Sequence, residues 1–436
     1  MSGWKNISVE ETIGAMQPAN NQISTPRDLN WSGVALIVLA NLIALSFFFS
    51  PGGSDVEIWN NWMREISNSG LIGGYTHSDT DYPPLAFVIL ALIVKCAAAF
   101  GVTPFVVLKC SLLLFLVATA ALFYSFTRNL ILTVALEFAL VLSSMGLAYL
   151  DVYFAPFLIA GFFLLQRGNL SLGFILFAIS CFTKWQPLII APFICIYILS
   201  SGTAVETKRP LKKRIIPFVF AAGAIAIPLL LIFGAKIFDS LHRAMTYHIF
   251  LSAYALNLPW LQTWALHLIN PEKYGPLQNG EVDIFQTRDA LVVGPTKILF
   301  YLSYAAIALS FARQKKTFAR LIVYSILGYM AYFIFNTSVH ENHLFLVCCL
   351  AWILAYIDRS QLIRCINLSI AANANLFLFY GAFGQGLPHV IGGVDITLLF
   401  ALANIFLFAD LLIWTLKSDG IDLWFVKIAP PQASPT

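Results

Sequence analysis

The run PLAFVILALIVKCAAAF (Pro84–Phe100) decides how this chain is threaded. Around it lies a sequence with 59% hydrophobic and 11% charged residues and a mean hydropathy of +0.79. Such a composition belongs to a protein that crosses a membrane many times, and the length allows roughly a dozen spans of ~20 apolar residues. Pro84–Phe100 is apolar enough to be one of them, but it is short, begins at a proline pair and carries Lys95. If it crosses, the basic stretches 207–214, 313–316 and 358–364 all face outside, against the excess of Lys and Arg expected in cytoplasmic loops. If it lies in the interface or re-enters, those stretches fall on the cytoplasmic side with Arg128, Arg167 and Lys417. The acidic loops 51–83 and 236–293 then fall outside, together with Asp151, Lys184, His340, Glu341 and Asp395. The second reading respects the charge rule, and we adopt it.

It predicts an all-α polytopic membrane protein of about twelve transmembrane helices. Residues 1–30 form a cytoplasmic tail, 31–415 the membrane domain and 416–436 a second cytoplasmic tail. The membrane domain has a first outer loop at 51–103 and a long outer loop at 236–293. The polar segment before Trp31 makes the first span a signal anchor rather than a cleaved leader. Runs 170–183 and 186–200 are short for a crossing and predict tilted or broken helices. The net charge of +4 gives no sign of nucleic acid as a partner. The seven cysteines show no metal spacing, and most sit in apolar runs as small packing residues. No metal site or cofactor is expected.

Just before Pro84 comes SDVEIWNNWMREISNSGLIGGYTHSDTDYPPL (Ser54–Leu85), with five acids against the single base Arg64. Ile58, Trp59, Trp62 and Ile66 share one face of a helix, which predicts an amphipathic segment on the membrane surface with Asp55 at its N-terminal end. Asp55 is either a solvated acid in a first helical turn or a general base made useful by partial desolvation. Glu57 has the same two readings. In Asp81-Tyr82-Pro83-Pro84 the prolines fix the backbone, so the turn starts the next helix abruptly, with Asp81 shaping it.

The other polar clusters near helix ends fall on the same face. Asp151 ends the third span, and Thr183-Lys-Trp-Gln-Pro187 interrupts an apolar stretch. There Lys184 either anchors at headgroups or holds a lipid phosphate, with Gln186 beside it. In the long loop, Asn257 and nearby aromatic residues either bind a sugar or belong to an interfacial aromatic belt. Arg288 is a useful charge with no motif around it. Val339-His-Glu-Asn-His343 lacks the spacing of a zinc helix. It suits a phosphate instead, with His340 and His343 donating and Glu341 orienting one of them.

Four landmarks occur in order: Asp55 through Trp62-Met63, Asp81-Tyr-Pro-Pro84, Lys184 with Gln186 and Pro187, and Val339-His-Glu341. With them the chain resembles the GT-C superfamily of polyprenyl-phosphate-sugar-dependent glycosyltransferases. The likeness is to the dolichol-linked oligosaccharide glucosyltransferases and to bacterial relatives of the second GPI mannosyltransferase. It implies a GT-C-like bundle with juxtamembrane helices in the first outer loop. It also implies inverting transfer of a hexose, mannose before glucose, from a polyprenyl-phosphate donor to a lipid-linked or glycan acceptor. Asp55 would be the general base. Lys184, His340 and Arg288 would bind the donor phosphate, and Glu57, Trp59, Asp81, Tyr82, Asp151, Gln186, Asn257, Glu341 and His343 would complete the pocket. Its place would be a bacterial plasma membrane with the site outside, or the lumenal face of the endoplasmic reticulum in a eukaryote. The alternatives are a transporter or flippase of lipid-linked sugars, for which Glu137 would be a coupling group, and a polymerase or ligase of lipid-linked glycans. A transporter predicts midplane charges and internal repeats, whereas the ionisable groups here gather at one face.

Overall fold

The computed structural model describes residues 31–199 and 212–420. The whole of the expected N-terminal tail (1–30), residues 421–436 of the C-terminal tail and residues 200–211 lie outside the described residues. In chain order the helices begin with α1 Trp31–Ser46, α2 Asp55–His77, α3 Pro84–Phe100, α4 Pro104–Thr127 and α5 Leu130–Val141. They continue with α6 Ala155–Gln166, α7 Leu170–Thr183, α8 Ala191–Leu199, α9 Lys212–Phe233, α10 Lys236–Thr246, α11 Leu258–Ile269 and α12 Pro271–Tyr274. The last five are α13 Ala290–Arg313, α14 Phe318–Phe335, α15 Phe345–Ile357, α16 Leu362–Tyr380 and α17 Ile396–Ser418. Among the described residues the only named strands are β1 Val390–Ile391 and β2 Val394–Asp395, paired antiparallel.

Six helices (α4, α9, α13, α14, α16 and α17, the α16 span counted from Arg359) are long and apolar enough to cross a membrane. Their burial differs in an informative way. The apolar window of α14 is 72% buried inside the protein, whereas those of α9 and α13 are only 11% and 17% buried. Leu231, Phe220, Tyr301 and Leu302 are exposed on these two outer helices. Apolar surface on that scale needs an apolar solvent, and a helix satisfies its own backbone there. The chain is accordingly a predominantly helical integral membrane protein.

The bundle has two chemically different ends. At one, Arg167 donates to the Phe126 carbonyl at 3.5 Å and lies over the Phe126 ring, Arg320 pairs with Asp419 at 2.5 Å, and Arg364 pairs with Asp410 at 2.6 Å. At the other end, α1 runs out beside a π-helical turn, Leu142–Gly146, that prolongs α5. Buried Lys109, in the second turn of α4, ties these two together through the carbonyls of Phe47 (3.3 Å) and Met145 (2.5 Å).

Helix α3 begins at this second end and is joined to α4 through residues 101–103. Tyr82, just before it, accepts from Lys184 through its hydroxyl, and Phe87 in the first turn of α3 packs 5.0 Å from both Trp62 and Tyr75 of α2. Gly101 and Val102, just after it, line a groove with Asn60 and Arg64 of α2. Helix α2 folds back on itself at Gly70, whose φ of 73° suits glycine and interrupts the helix. The expected apolar face is corrected at one position. Trp59, Trp62, Met63 and Ile66 are buried, whereas Ile58 is exposed.

The break after α7 comes where the short runs predicted it. Lys184 is extended, and a 3₁₀ turn, Gln186–Ile190, leads into α8. Two more 3₁₀ turns, Leu150–Tyr153 and Glu341–Leu344, enter α6 and α15. These three turns and the start of α2 converge.

Candidate active site

Lys184 stands at the centre. Its Nζ pairs with Asp151 Oδ1 at 3.2 Å, hydrogen-bonds the Tyr82 hydroxyl and lies 4.1 Å from the Tyr82 ring centroid. The second Asp151 oxygen accepts from Asn342 Nδ2 at 2.9 Å. Lys184 and Asp151 are both buried, so each charge depends on the other for compensation. Tyr82 is held edge-on against Trp59, 5.2 Å between ring centroids, and Trp59 Nε1 donates to the Ala148 carbonyl at 3.1 Å.

Asp55 opens α2 at the rim of this group and is half-buried. Among the described residues its carboxylate has no hydrogen bond or ion pair. Burial pushes its pKa up to about 6 against the opposing pull of Lys184, and the charges of Asp151 and Asp81 push the same way as burial. A carboxylate with no protein partner and a pKa near neutrality can accept a proton from a hydroxyl placed beside it.

Beyond Asp55 lies a histidine pair. His248 Nε2 meets Asp81 Oδ2 at 3.3 Å, and its ring stands edge-on to His340 with centroids 4.5 Å apart. Burial opposes the charge on Asp81, but the His248 hydrogen bond and charge outweigh it and hold the carboxyl below its ordinary pKa. Burial, with the charge of His248, lowers His340 to about 3. His340 is therefore a neutral imidazole, and its buried Nε2 has no partner among the described residues.

Several sequence expectations are corrected here. Glu341 does not orient an imidazole: the nearest His340 nitrogen is 3.9 Å away. Its Oε1 instead accepts from Tyr149 at 2.5 Å and from Tyr380 at 3.4 Å. His343 engages Tyr332, with Nδ1 3.0 Å from the hydroxyl, while its ring stays 5.5 Å from that of His340. Asn257 caps α11, accepting from the Trp260 amide at 3.0 Å and donating to the Phe333 carbonyl at 2.9 Å, so its amide is spent on structure. Arg288 is exposed ahead of α13 and, among the described residues, bonds none of the group. Glu57 is exposed on the first turn of α2. The Asp-Tyr-Pro-Pro turn is held by Thr80, whose Oγ1 accepts from the Tyr82 amide at 2.9 Å, and Asp81 faces His248. Gln186 is buried with both amide atoms unpartnered among the described residues.

Five residues escaped the sequence reading: Tyr149, His248, Asn342, Asn375 and Tyr380. Asn375 is the most informative. It accepts from the Leu256 amide at 2.8 Å and donates to the carbonyls of Tyr254 (3.0 Å) and Glu341 (3.3 Å), so it pins the long loop to the 3₁₀ turn. An amide inside an apolar run was a usable signal, since polar groups in such runs need partners. Left-handed backbone at Ala148, Tyr254 and Ser338 falls in three segments that bond this group, through Trp59, Asn375 and His248, a concentration of conformational cost that accompanies functional sites.

No family model and no curated protein matches this chain.

Proposed function

We propose that this protein is an integral membrane glycosyltransferase that moves a hexose, mannose before glucose, from a polyprenyl-phosphate donor to a lipid-linked or glycan acceptor with inversion. The observation that carries the reading is Asp55: an unpartnered carboxylate raised to about 6, at the mouth of a buried polar pocket, at the end of an apolar bundle. The acceptor hydroxyl gives its proton to Asp55 as its oxygen attacks the anomeric carbon. Lys184 and Asp151, fixed against Tyr82, form the floor on which the sugar and phosphate sit. The donor's lipid lies along the apolar flanks of the bundle, and the acceptor enters from water over α2 and α3.

In this reading twelve segments cross, because the shorter apolar helices Leu130–Gly146, Leu150–Gln166, Leu170–Thr183, Gln186–Leu199 and Glu341–Ile357 span with their extra turns, as α1 does. Helices α2 and α3 stay at the outer face, which puts the basic end in the cytoplasm and the site in the periplasm of a bacterium. The resemblance of Asp55–Met63, Asp81–Pro84 and Val339–Glu341 to GT-C enzymes supports the same conclusion.

Transfer in proteoliposomes with a panel of polyprenyl-phosphate sugars tests the reading. Asp55→Asn should keep the fold and lower turnover by at least ~10²-fold, the ordinary contribution of a general base. Full activity in that variant would remove the base assignment, and activity with a nucleotide sugar alone would remove the class.

A carrier of lipid-linked sugars is the second reading. It is favoured by Glu137, buried inside α5 with Oε1 unpartnered among the described residues. Such a carrier would move its substrate across the vesicle membrane unchanged, and Glu137→Gln rather than Asp55→Asn would stop it.

A further inference from the structure

We propose that His248, anchored on Asp81 and packed against His340, takes up the charge of the departing lipid phosphate. The inference rests on the transfer reading above and assigns a residue that the sequence motifs leave out. In the transfer, the acceptor oxygen forms a bond to the anomeric carbon and its proton passes to Asp55. The bond from that carbon to the phosphate oxygen breaks, and its electron pair stays on the phosphate. A diester with one negative charge thus leaves as a monoester with two. Catalysis favours a site that binds the second form better than the first.

Lys184 is poorly placed to make that distinction. Its charge is already matched by Asp151 at 3.2 Å, and its ammonium also holds Tyr82. Arg288 is exposed elsewhere. His248 has the needed freedom. Only Nε2 is engaged, by Asp81, and among the described residues Nδ1 makes no hydrogen bond. Its side chain is 22% exposed, so a ligand can reach the ring. His340 Nε2, on the neighbouring imidazole, is also unpartnered. The two rings stand 4.5 Å apart, each with one nitrogen that makes no hydrogen bond among the described residues, and the charge of His248 acts on Asp55.

The ring is held in place rather than left mobile. Ser338, in left-handed backbone, donates its hydroxyl to the His248 carbonyl at 2.7 Å. That clamp joins the long loop to the segment bearing His340. Asp81 completes the arrangement by engaging Nε2 at 3.3 Å, which leaves Nδ1 as the ring nitrogen open to a phosphate oxygen.

The test compares binding of a short-chain polyprenyl phosphate and of its sugar diester to the purified full chain in detergent, for wild type and His248→Gln. Glutamine keeps a donor but carries no charge. Wild type should prefer the monoester, and His248→Gln should lose roughly tenfold in monoester affinity while the diester changes far less. In turnover, kcat should fall by about 10²-fold with the donor KM nearly unchanged, as for loss of one group that acts in the transition state. Equal losses for both ligands, or no loss, would overturn the assignment. Melting curves screen each variant, and His248→Asn and Asp81→Asn replace one that does not fold, with the same selective loss expected. Failure of the transfer reading has a different signature: the wild-type protein moves no hexose from the diester to any acceptor, whether or not it binds the two ligands.

Discussion

The two ends of the bundle handle charge in opposite ways. At the basic end each described acid in the arginine pairs has a close partner: Asp419 accepts from Arg320 and Tyr324, and Asp410 accepts two bonds from Arg364. At the other end the charges are buried deeper and satisfied less completely. His340 Nε2 and both amide atoms of Gln186 are buried with no partner among the described residues, and half-buried Asp55 has none at the rim. Water can repair an unpaired group at a surface. In a buried pocket each such group costs about 1–3 kcal/mol, so a concentration of them at one end points to a ligand that supplies the missing partners.

Four experiments probe this contrast. The largest effect is on chemistry. Asp55→Asn should remove transfer and also raise the melting temperature above pH 6. The sign follows from the raised folded-state pKa: the fold holds the Asp55 proton more tightly than the unfolded chain does. The carboxyl therefore lowers stability as pH rises from about 4 to about 6, and asparagine escapes that loss. A variant that melts lower at pH 8 would show that the Asp55 carboxylate is satisfied after all. Next, Lys184→Ala should destabilise by ~3–5 kcal/mol, because it strands Asp151 in the interior. Denaturation in detergent measures it, and the double variant Lys184→Met with Asp151→Leu should recover most of the loss. Third, kcat/KM for transfer should rise with pH through about 6 as Asp55 ionises, and a flat profile between pH 5 and 7 would separate Asp55 from the proton transfer. The smallest change belongs to the basic end. Arg364→Ala should cost no more than about 1 kcal/mol, since that pair is partly exposed. A loss there as large as that at Lys184 would erase the distinction between the ends.

Much of the helix layout was legible because each apolar run carries its own signal. The break at Lys184 and the start of α2 at Asp55 both follow from local pattern, whereas the gathering of Asp55, Asp151, Lys184 and Glu341 at one end follows from where the basic stretches fall along the whole chain. What local pattern does not reveal is who bonds whom across long separations. Tyr149 and Tyr380 meet at Glu341, and His248 meets Asp81, only because loops distant in sequence are packed together. Asn257 looked suited to a sugar for the same reason that it suits a helix cap, a short amide at the head of an apolar run. Arg288 illustrates the converse. A charge on the right face need not reach the pocket, because the backbone that carries it continues into α13.

Gly384 packs so closely on the Gly52 carbonyl that a Cβ there would lie 1.8 Å from the oxygen, and Gly53 donates to the Leu147 carbonyl at 2.8 Å. Together with Lys109, which joins the ends of α1 and α5, these contacts make one wall of the pocket a single stiff block. The side formed by α2 and α3 is built differently, from a helix broken at Gly70 and from the uninterrupted α3. For the transfer proposed above, the side of α2 and α3 is the natural entrance for a lipid-borne substrate.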